Sequence, residues 1–498
     1  MKRCFGLVST VVAWFAFAAS APAQLSVDWR DGDLGGTADL VLRAPAGTVY
    51  IDILSLTEGP TCFGKKHPVG CIDVDLDYLD LSFQISGLLG AMNGSGELVV
   101  TVGVDSDPAL DGLVVNQQLC SLVGGKFTAK SNVCKIVLGN PATWSHSLNV
   151  MTNDPAGIPA IPLPDGTLLL AGSGGANLDQ CEVYEPCRQT LSVAASLAQG
   201  RAGHTVTQLA DGRVLVAGGA DVNLVVLSSA ELYDAATGAW TTVGSLGTAR
   251  VGHSAALLPD GRVLVVGGTT DVTDPVTAAI SSLKTTEYFD PATLAFMAGP
   301  SLARPHAGHS AATLASGDVL IAGGGSFHKI FGIPIPDLSD KAQRFLVGSF
   351  TWASEVTMKK ARVGASAILL ADGRALLAGG IGGSILAPAQ LDSSETFDPA
   401  TSAFTLRGTM SLARSGMAMV RLDTTNLILV AGGETGTSVT TVLPTDVVEI
   451  WDPANGLFSA AANLPEPRAG AAGYLQQNHH AILFGGVGAP AAAAIYRD

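Results

Sequence analysis

Short apolar runs recur along the C-terminal two thirds of the chain, each divided by a polar turn and closed by glycines. Two examples are LADGRVLVAGG at 209–219 and LADGRALLAGG at 370–380. Asp-Gly between two apolar β runs supplies the positive φ angles that a tight hairpin needs. We therefore predict that each unit begins with two antiparallel strands, a and b, which meet at this turn.

The same unit occurs seven times. Its glycine pair, which is Gly-Ser in the first copy, begins at residues 172, 218, 267, 323, 379, 432 and 485. Each copy continues with a variable loop and a segment such as AELYD at 230–234. A turn such as Asp-Pro-Ala-Thr at 290–293 and an aromatic residue such as Trp240 follow. These segments predict strands c and d, and self-similarity at a fixed period indicates a repeat architecture.

The unit resembles the Kelch repeat, and residues 140–498 are similar to the Kelch-type propeller of the galactose oxidase superfamily. The resemblance implies an all-β fold with seven four-stranded blades. The first copy departs from the pattern in having Gly172-Ser173 as its pair, and copies five to seven lack the His of the RxGHS segment.

One copy of the repeat is split between the two ends of this domain. The chain ends in Ile495-Tyr496-Arg497-Asp498, which matches the end of a strand c. The missing turn and aromatic occur at Pro141-Ala142-Thr143-Trp144. We predict that strand 143–150 completes blade seven and leaves no open sheet edge.

Residues 1–23 have the pattern of a secretory signal peptide. Lys2 and Arg3 precede an apolar run from Phe5 to Ala19, and small residues lead to a predicted cleavage after Ala23. We expect a secreted, periplasmic or cell-surface protein. No later segment reaches the roughly 20 apolar residues of a membrane helix, so we expect no membrane insertion.

Residues 24–139 contain no repeat. The alternation of Ile72-Asp73-Val74-Asp75-Leu76-Asp77-Tyr78 predicts a strand with one acidic face, and the region as a whole predicts a small β-sandwich-like domain. Hard cations bind clustered carboxylates, so calcium is one hypothesis, at Asp73, Asp75 and Asp77 or at Asp105, Asp107 and Asp111. A merely solvated acidic face is the alternative, and we predict no other cofactor.

Six cysteines remain once the signal segment with Cys4 is removed, an even number that suits an oxidising compartment. Proximity in sequence predicts the disulfides Cys62–Cys71 and Cys120–Cys134. Cys181 and Cys187 are the remaining pair, but extended chain between them would hold their Cα atoms farther apart than about 7 Å.

The formal net charge is −15. A surface so acidic repels phosphate groups, which excludes nucleic acid as an expected partner and disfavours anionic lipid.

The predicted strand order divides the loops between two faces. The first face carries the glycine-pair ends, the long b–c connections and the d–a junctions, whereas the second face carries the short a–b and c–d turns. Candidate ligand-binding residues on the first face are the junction residues Arg201, Arg250, Arg304, Arg362, Arg414 and Arg468, and the nearby His204, His253 and His309. Recurrence in six units, where a ligand would need only a few, favours a structural clasp on neighbouring carbonyl groups as the alternative.

The longest b–c connection, from Ser326 to about Gln343, adds Phe327, His328 and Phe331 to these candidates. Apolar side chains on a long loop over a rigid scaffold indicate recognition. The alternative is that the loop folds back over the rim of the propeller.

Copper-radical oxidases of the resembled superfamily use a Tyr crosslinked to a Cys, a second Tyr and two His near the propeller axis. The sequence has no counterpart, because the mature cysteines end at Cys187 and no Tyr occurs between Tyr288 and Tyr474. No nucleophile elbow or phosphate loop is present either. We therefore predict a protein- or carbohydrate-binding module, with a partner on the first face. A carbohydrate-active or oxidative enzyme and a purely structural surface protein remain open.

Overall fold

The computed structural model describes residues 159–496, with gaps at 173–176, 187–188, 331–332, 386, 424, 437–442, 477–479 and 489–491. It also describes Trp144 and the backbone of strands between Ser26 and Val150. Within this part of the chain nearly all regular structure is β-strand, and the one α-helix, α1, spans Pro275–Ile280. The all-β prediction is confirmed.

Seven antiparallel four-stranded sheets form the blades, and in blade four strand d is interrupted. Blades one to three have strands a to d at Ala160–Pro162, Leu168–Ala171, Cys181–Glu185 and Thr190–Val193; at Thr205–Gln208, Val214–Ala217, Ala230–Asp234 and Ala239–Thr242; and at Ser254–Leu257, Val263–Val266, Thr286–Asp290 and Ala295–Ala298. Blade four has Ser310–Thr313, Val319–Ala322, Lys341–Leu346 and Thr351–Trp352, with Val356–Thr357 also pairing with its strand c.

Blades five to seven follow the same order, which confirms the seven-bladed propeller. Their strands are Ser366–Leu369, Ala375–Ala378, Ser393–Asp398 and Ala403–Thr409; Ala418–Arg421, Ile428–Ala431, Val448–Asp452 and Leu457–Ala460; and Ala472–Leu475, Ala481–Phe484, Ala492–Tyr496 and Trp144–Val150.

The last strand of blade seven comes from the N-terminal side of the domain. Trp144 pairs in register with Tyr496, and their rings lie 5.1 Å apart. The indole Nε1 of Trp144 also donates to the carbonyl oxygen of Ala462 in the neighbouring blade, over 2.8 Å. This pairing closes the ring as the split repeat predicts.

Strand b is buried along its whole length in every blade. Its side chains point alternately to the two sides of the blade, and both sides face neighbouring blades. Continuous apolar sequence is therefore required rather than the alternation of a half-exposed strand. Between blades two and three, for example, Leu215 packs with Val263 and Phe289.

The glycine pair allows successive blades to approach each other closely. Gly218 and Gly219 have φ angles of +64° and +95°. A Cβ atom on Gly218 would lie 2.5 Å from the carbonyl oxygen of Arg250, which belongs to the junction entering the next blade. Only glycine fits this position without displacing that backbone.

Several b–c connections carry secondary structure of their own. The connection in blade three contains α1. Two-stranded hairpins occur at Gly325–Ile330 with Ile333–Leu338 in blade four, Ile381–Ser384 with Ala387–Gln390 in blade five, and Glu434–Thr435 with Leu443–Pro444 in blade six. All of these elements lie on the first face.

The N-terminal region is described as backbone strands. Ser26–Asp31, Thr37–Arg43 and Glu97–Gly103 form one sheet, and Leu89–Ala91, Val49–Ser55, Val114–Val123 and Lys126–Val137 form a second. Glu58–Cys62 and Cys71–Val74 form a separate pair. The sandwich-like packing of this region and the domain boundaries stay predictions, as does the signal peptide, which lies outside the described residues.

The strand registers bear on the predicted disulfides. Cys62 and Cys71 are opposed in register, as a bridge between them would need. Cys120 opposes Lys130, whereas Cys134 opposes Gln117. That offset of three to four residues separates the two Cα atoms by roughly 10 Å, which is beyond the reach of a disulfide.

The predicted Cys181–Cys187 disulfide is absent from the structure. Cys181 is a free cysteine, and its side chain is buried in the core between blades one and two. Cys187 lies outside the described residues. Burial raises the pKa of the Cys181 thiol to about 11, so this thiol is an inert part of the core.

Candidate functional site

Arg201 is fully buried at the junction that enters blade two. Its Nη1 donates to the carbonyl oxygens of Gly218 (2.8 Å) and Ser229 (2.9 Å), and its Nη2 donates to Oε1 of Glu231 (2.8 Å). Glu231 also accepts the backbone N–H of Ala198. Burial lowers the pKa of Arg201, and the bond to Glu231 partly offsets that decrease. These bonds clasp the junction to strands b and c.

The same clasp recurs in other blades. Arg250 pairs with Glu287 over 2.6 Å, Arg362 with Glu395 over 2.7 Å and Arg414 with Glu449 over 2.7 Å. In blade seven, Arg468 donates to the carbonyl oxygen of Gly485 over 3.3 Å. The four arginines are all at most 1% exposed. The geometry therefore favours the structural reading of the junction arginines over ligand binding.

Blade four uses a different clasp. His306 takes the position of the arginine, with Nδ1 2.6 Å from the carbonyl oxygen of Gly323. Gln343 takes the position of the glutamate and accepts the backbone N–H of Ala303 over 2.8 Å. Arg304, which the sequence analysis grouped with the junction arginines, instead forms a partly exposed ion pair with Glu355. The grouping of Arg304 with the junction arginines is therefore wrong. In blade four, His306 and Gln343 take the places of the buried arginine and glutamate.

His204, His253 and His309 join neighbouring blades through Nε2. Their partners are the carbonyl oxygen of Ala171 (3.0 Å), Oγ1 of Thr205 (3.0 Å) and Oγ of Ser254 (2.8 Å), respectively. Burial lowers the pKa of His204 to about 4 and those of His253 and His309 to about 3. The three imidazoles are therefore neutral at pH 7 and act as links between blades.

Blades without this histidine fill the same space differently. In blade six, Met417 takes the histidine position and its methyl group lies 2.9 Å from where a Cβ on Gly379 would be. In blade five, Ala365 takes the histidine position and is too small to fill the space. Met358, on the junction between blades four and five, packs toward Gly323 instead. Packing against the first glycine of the pair is thus the shared requirement, which again favours a structural role.

The first face presents exposed apolar side chains on its b–c connections. Of the eleven large hydrophobic residues that are exposed in the described part of the chain, seven lie on this face: Val222, Leu224, Val225, Val276, Ile335, Leu443 and Val487. Three of them belong to the blade-two connection and one to α1 of blade three. An apolar surface on loops of a rigid scaffold is a recognition feature.

The long connection of blade four is a β-hairpin that contacts both α1 and the strand Ile381–Ser384 of the blade-five hairpin. Phe327 is half-buried, and His328 is exposed and lies 3.8 Å from Asp337. Phe331 falls outside the described residues. The hairpin thus joins the connections of blades three to five in one surface.

The second face is polar. Ion pairs bridge its a–b turns, namely Asp211–Arg213 and Asp260–Arg262, each at 2.7 Å, and Asp372–Arg374 at 2.6 Å. Its c–d turns are held by carboxylates such as Asp290, which accepts the backbone N–H of Ala292 over 2.9 Å. These contacts satisfy the turns locally and leave little apolar area for a partner.

Solved structures resemble this chain, although no protein-family model and no curated protein matches it. A fungal alcohol oxidase of the AA5 family, solved in complex with copper, aligns with a TM-score of 0.54 and 17% identity, over 72% of this chain and 76% of its own. The structure of YjhT aligns with a TM-score of 0.48 and 13% identity, over 64% of this chain and all of its own. The alignment with the alcohol oxidase shows a shared β-propeller fold. At these identities the similarity concerns fold alone.

The residues near the axis do not fit a copper site. Copper needs several His, Cys or Tyr side chains that converge on one point. The Nε2 atoms of His204, His253 and His309 are used in bonds between blades. Within the described ranges, no three His, Cys, Asp or Glu side chains cluster closely enough to hold a metal. The aspartates of the calcium hypothesis lie where no side chains are described, so that hypothesis stays a prediction.

Proposed function

We propose that this chain is an exported binding module that holds a protein or glycan partner on its first face. The observation that supports the proposal most directly is the distribution of exposed apolar side chains, which concentrate on the first-face connections. Among the described residues, no helix is long and apolar enough to cross a bilayer.

The connections of blades two and three form the best-defined part of this surface. Val222, Leu224 and Val225 are 55–68% exposed, and Val276 adds to them from α1. Burial of four such side chains would contribute several kcal/mol at ~25 cal/mol per Å². The loop is held in shape by Asp221, whose Oδ1 accepts two backbone N–H groups of the same turn. A rigid apolar loop loses little entropy on binding.

Acidic side chains flank these apolar residues. Asp221 lies beside the valines and Leu224, and Asp271 and Asp274 precede α1. Carboxylates accept hydrogen bonds from cationic side chains and from sugar hydroxyl groups. A partner with an apolar patch bordered by basic residues or hydroxyl groups complements this surface.

The proposal is tested by screening the mature protein against a glycan array and against extracellular proteins of the organism that makes it, followed by affinity measurements on two variants. The first combines Leu224→Asp with Val276→Asp on the first face. The second combines Asp211→Ala with Asp372→Ala on the second face. Anchor residues contribute roughly 2 kcal/mol or more, so we expect the first variant to bind at least about 30-fold more weakly.

The second-face variant should bind as the unmodified protein does. Loss of affinity in the second-face variant alone, with both variants folded by circular dichroism, would contradict the proposal. Failure to detect any protein or glycan partner would contradict the binding role itself. The enzyme alternative is less favoured, because His204, His253 and His309 link blades and five of the six junction arginines are clasped.

A further inference from the structure

A cavity of about 180 Å³ lies between blades four and five, away from the first-face connections. Leu320, Val356 and Phe397 form apolar walls, and Gln343, Arg344 and Glu355 contribute polar groups. Ser354 is exposed at its rim, so the cavity is accessible from solvent.

The repeat explains why the cavity forms here. Two positions before the end of its strand c, each blade carries a residue that faces the following blade. Leu232 and Tyr288 hold this position in blades two and three and pack into the cores against the next blade; Ile450 does the same in blade six. Blade five has the small polar Thr396, and blade four has the long charged Arg344. A charged, partly exposed side chain cannot fill this apolar space, so a void remains beside it.

The outer strand of blade four also opens at this point. Strand d stops at Trp352, and pairing with strand c resumes only at Val356. Ala353 still donates its N–H to the carbonyl oxygen of Arg344 over 2.8 Å, and Ser354 and Glu355 form a bulge that lines the cavity. In blade five, strand d runs from Ala403 to Thr409 with a single register shift.

One polar group beside the cavity keeps unused hydrogen-bonding capacity. Gln343 does not, because its Oε1 accepts the N–H of Ala303 on the blade-three side of the sheet and its Nε2 donates to the carbonyl oxygen of Ala353 over 2.9 Å. Nη1 of Arg344 donates to the carbonyl oxygen of Pro399 over 3.1 Å, but its buried Nε has no hydrogen-bond partner, since Asp318 lies 3.9 Å away. Buried donors of this kind are costly unless something bonds to them.

Charge in and around the cavity is balanced. Arg344 faces Asp318, and Glu355 is paired with Arg304. An ionic ligand would therefore disturb two existing pairs, whereas a neutral ligand with hydroxyl groups could accept from Arg344 and donate to Glu355. Phe397 offers an aromatic surface for the apolar face of such a ligand.

We propose that this cavity binds a neutral monosaccharide, either free or as the terminal unit of a glycan. A cavity of about 150 Å³ accommodates benzene, so 180 Å³ has room for the ring of a pyranose whose outer hydroxyl groups extend through the open rim. In blade four the arginine at the inter-blade position and the bulge in the outer strand converge on one cavity. The site is separate from the first face and does not depend on the function proposed above.

The test uses the mature full-length protein with a panel of neutral aldohexoses and N-acetylhexosamines, and with a hexuronate and inorganic phosphate as charged comparators. Calorimetric titration and saturation-transfer NMR report binding. We expect a neutral sugar to bind. Arg344→Leu, which restores the apolar residue type of blades two and six, should weaken binding by about tenfold or more through loss of a charged hydrogen bond. It should leave the melting temperature unchanged or raised.

Two further variants keep the test decisive. Ser354→Trp alters an exposed rim residue, so the protein should fold normally but lose sugar binding because the entrance is blocked. Arg374→Leu removes a second-face arginine outside the cavity and should bind sugar as the unmodified protein does. The proposal is overturned if no neutral sugar binds, if only the charged comparators bind, or if Ser354→Trp binds sugar normally. Leu224→Asp should not affect sugar binding, which separates this site from the first face.

Discussion

Nη2 of Arg362 lies 2.7 Å from Oε1 of Glu395, and neither side chain is exposed. Loss of one partner leaves the other charge buried and unpaired, so Glu395→Ala should lower the free energy of unfolding by about 3–5 kcal/mol. Urea unfolding followed by circular dichroism measures the loss. As a control, Asp372→Ala breaks an exposed pair and should cost at most about 1 kcal/mol.

Blade four supplies a natural substitute for this pair. The double variant Arg362→His with Glu395→Gln reproduces His306 and Gln343, which maintain the clasp without charge. We expect it to be more stable than Glu395→Ala, because no buried charge is left unpaired. A double variant as unstable as the single one would show that the blade-four pair depends on its own surroundings.

Acid should destabilise the propeller through its inter-blade histidines. The pKa of His253 is about 3 in the folded chain and about 6.5 when unfolded. Between these values the unfolded chain binds a proton that the folded chain does not, so stability falls as pH falls from about 6.5 to 3. The expected slope is about 1.4 kcal/mol per pH unit for this residue.

His253→Gln should therefore reduce the pH dependence of unfolding measured from pH 7 to pH 4. The unmodified protein, unfolded under the same conditions, is the comparison. An unaltered slope for His253→Gln would argue against a neutral buried imidazole at this position.

Closure of the ring can be measured by comparing two tryptophans. Trp144 and Trp240 make equivalent contacts: each donates from Nε1 to a carbonyl oxygen over 2.8 Å and packs on a tyrosine, Tyr496 or Tyr233. Because both rings are partly buried, each Trp→Ala variant should cost roughly 2–3 kcal/mol. A neutral Trp144→Ala beside a destabilised Trp240→Ala would mean that 143–150 is a linker.

The reactivity of the cysteines tests two predictions: that the exported chain contains a disulfide, and that the Cys181 thiol is buried. We expect the mature chain to begin near Gln24 and to contain at least one disulfide, seen by intact mass with and without reduction. Cys181 should resist alkylation in the folded protein, since it is buried with a raised pKa, and react after unfolding. Six thiols that react without reduction would overturn the prediction of an oxidising compartment.

The repeat allowed much of the fold to be predicted from sequence. The Asp-Gly turns, the glycine pairs and the split unit at Trp144 and Tyr496 each depend on local backbone geometry or on strand pairing, and such signals recur along the chain. Disulfide pairing was less predictable, because the register of the hairpin places Cys120 opposite Lys130 and Cys134 opposite Gln117, which proximity in sequence does not reveal.

The roles of the junction residues needed structure. Recurrence of the arginine favours a clasp over a ligand site, but only the structure shows that its partner is Glu231 or an equivalent glutamate. The exception in blade four did have a sequence signal: Arg201 and Arg250 each precede their bonded glycine by 17 residues, and so does His306 rather than Arg304. The cavity beside Arg344 had a similar signal, since arginine replaces an apolar residue of the repeat.

The claim that the first face binds a partner is tested most directly by site-specific photo-crosslinking. A photoreactive amino acid is placed at Leu224 or Val276 on the first face, and at Arg213 or Arg374 on the second, in the full-length protein produced by its own organism. The account predicts that a protein or glycan adduct of one defined mass forms from the first-face positions alone. Adducts that form only from Arg213 or Arg374, or equally from all four positions, would contradict it.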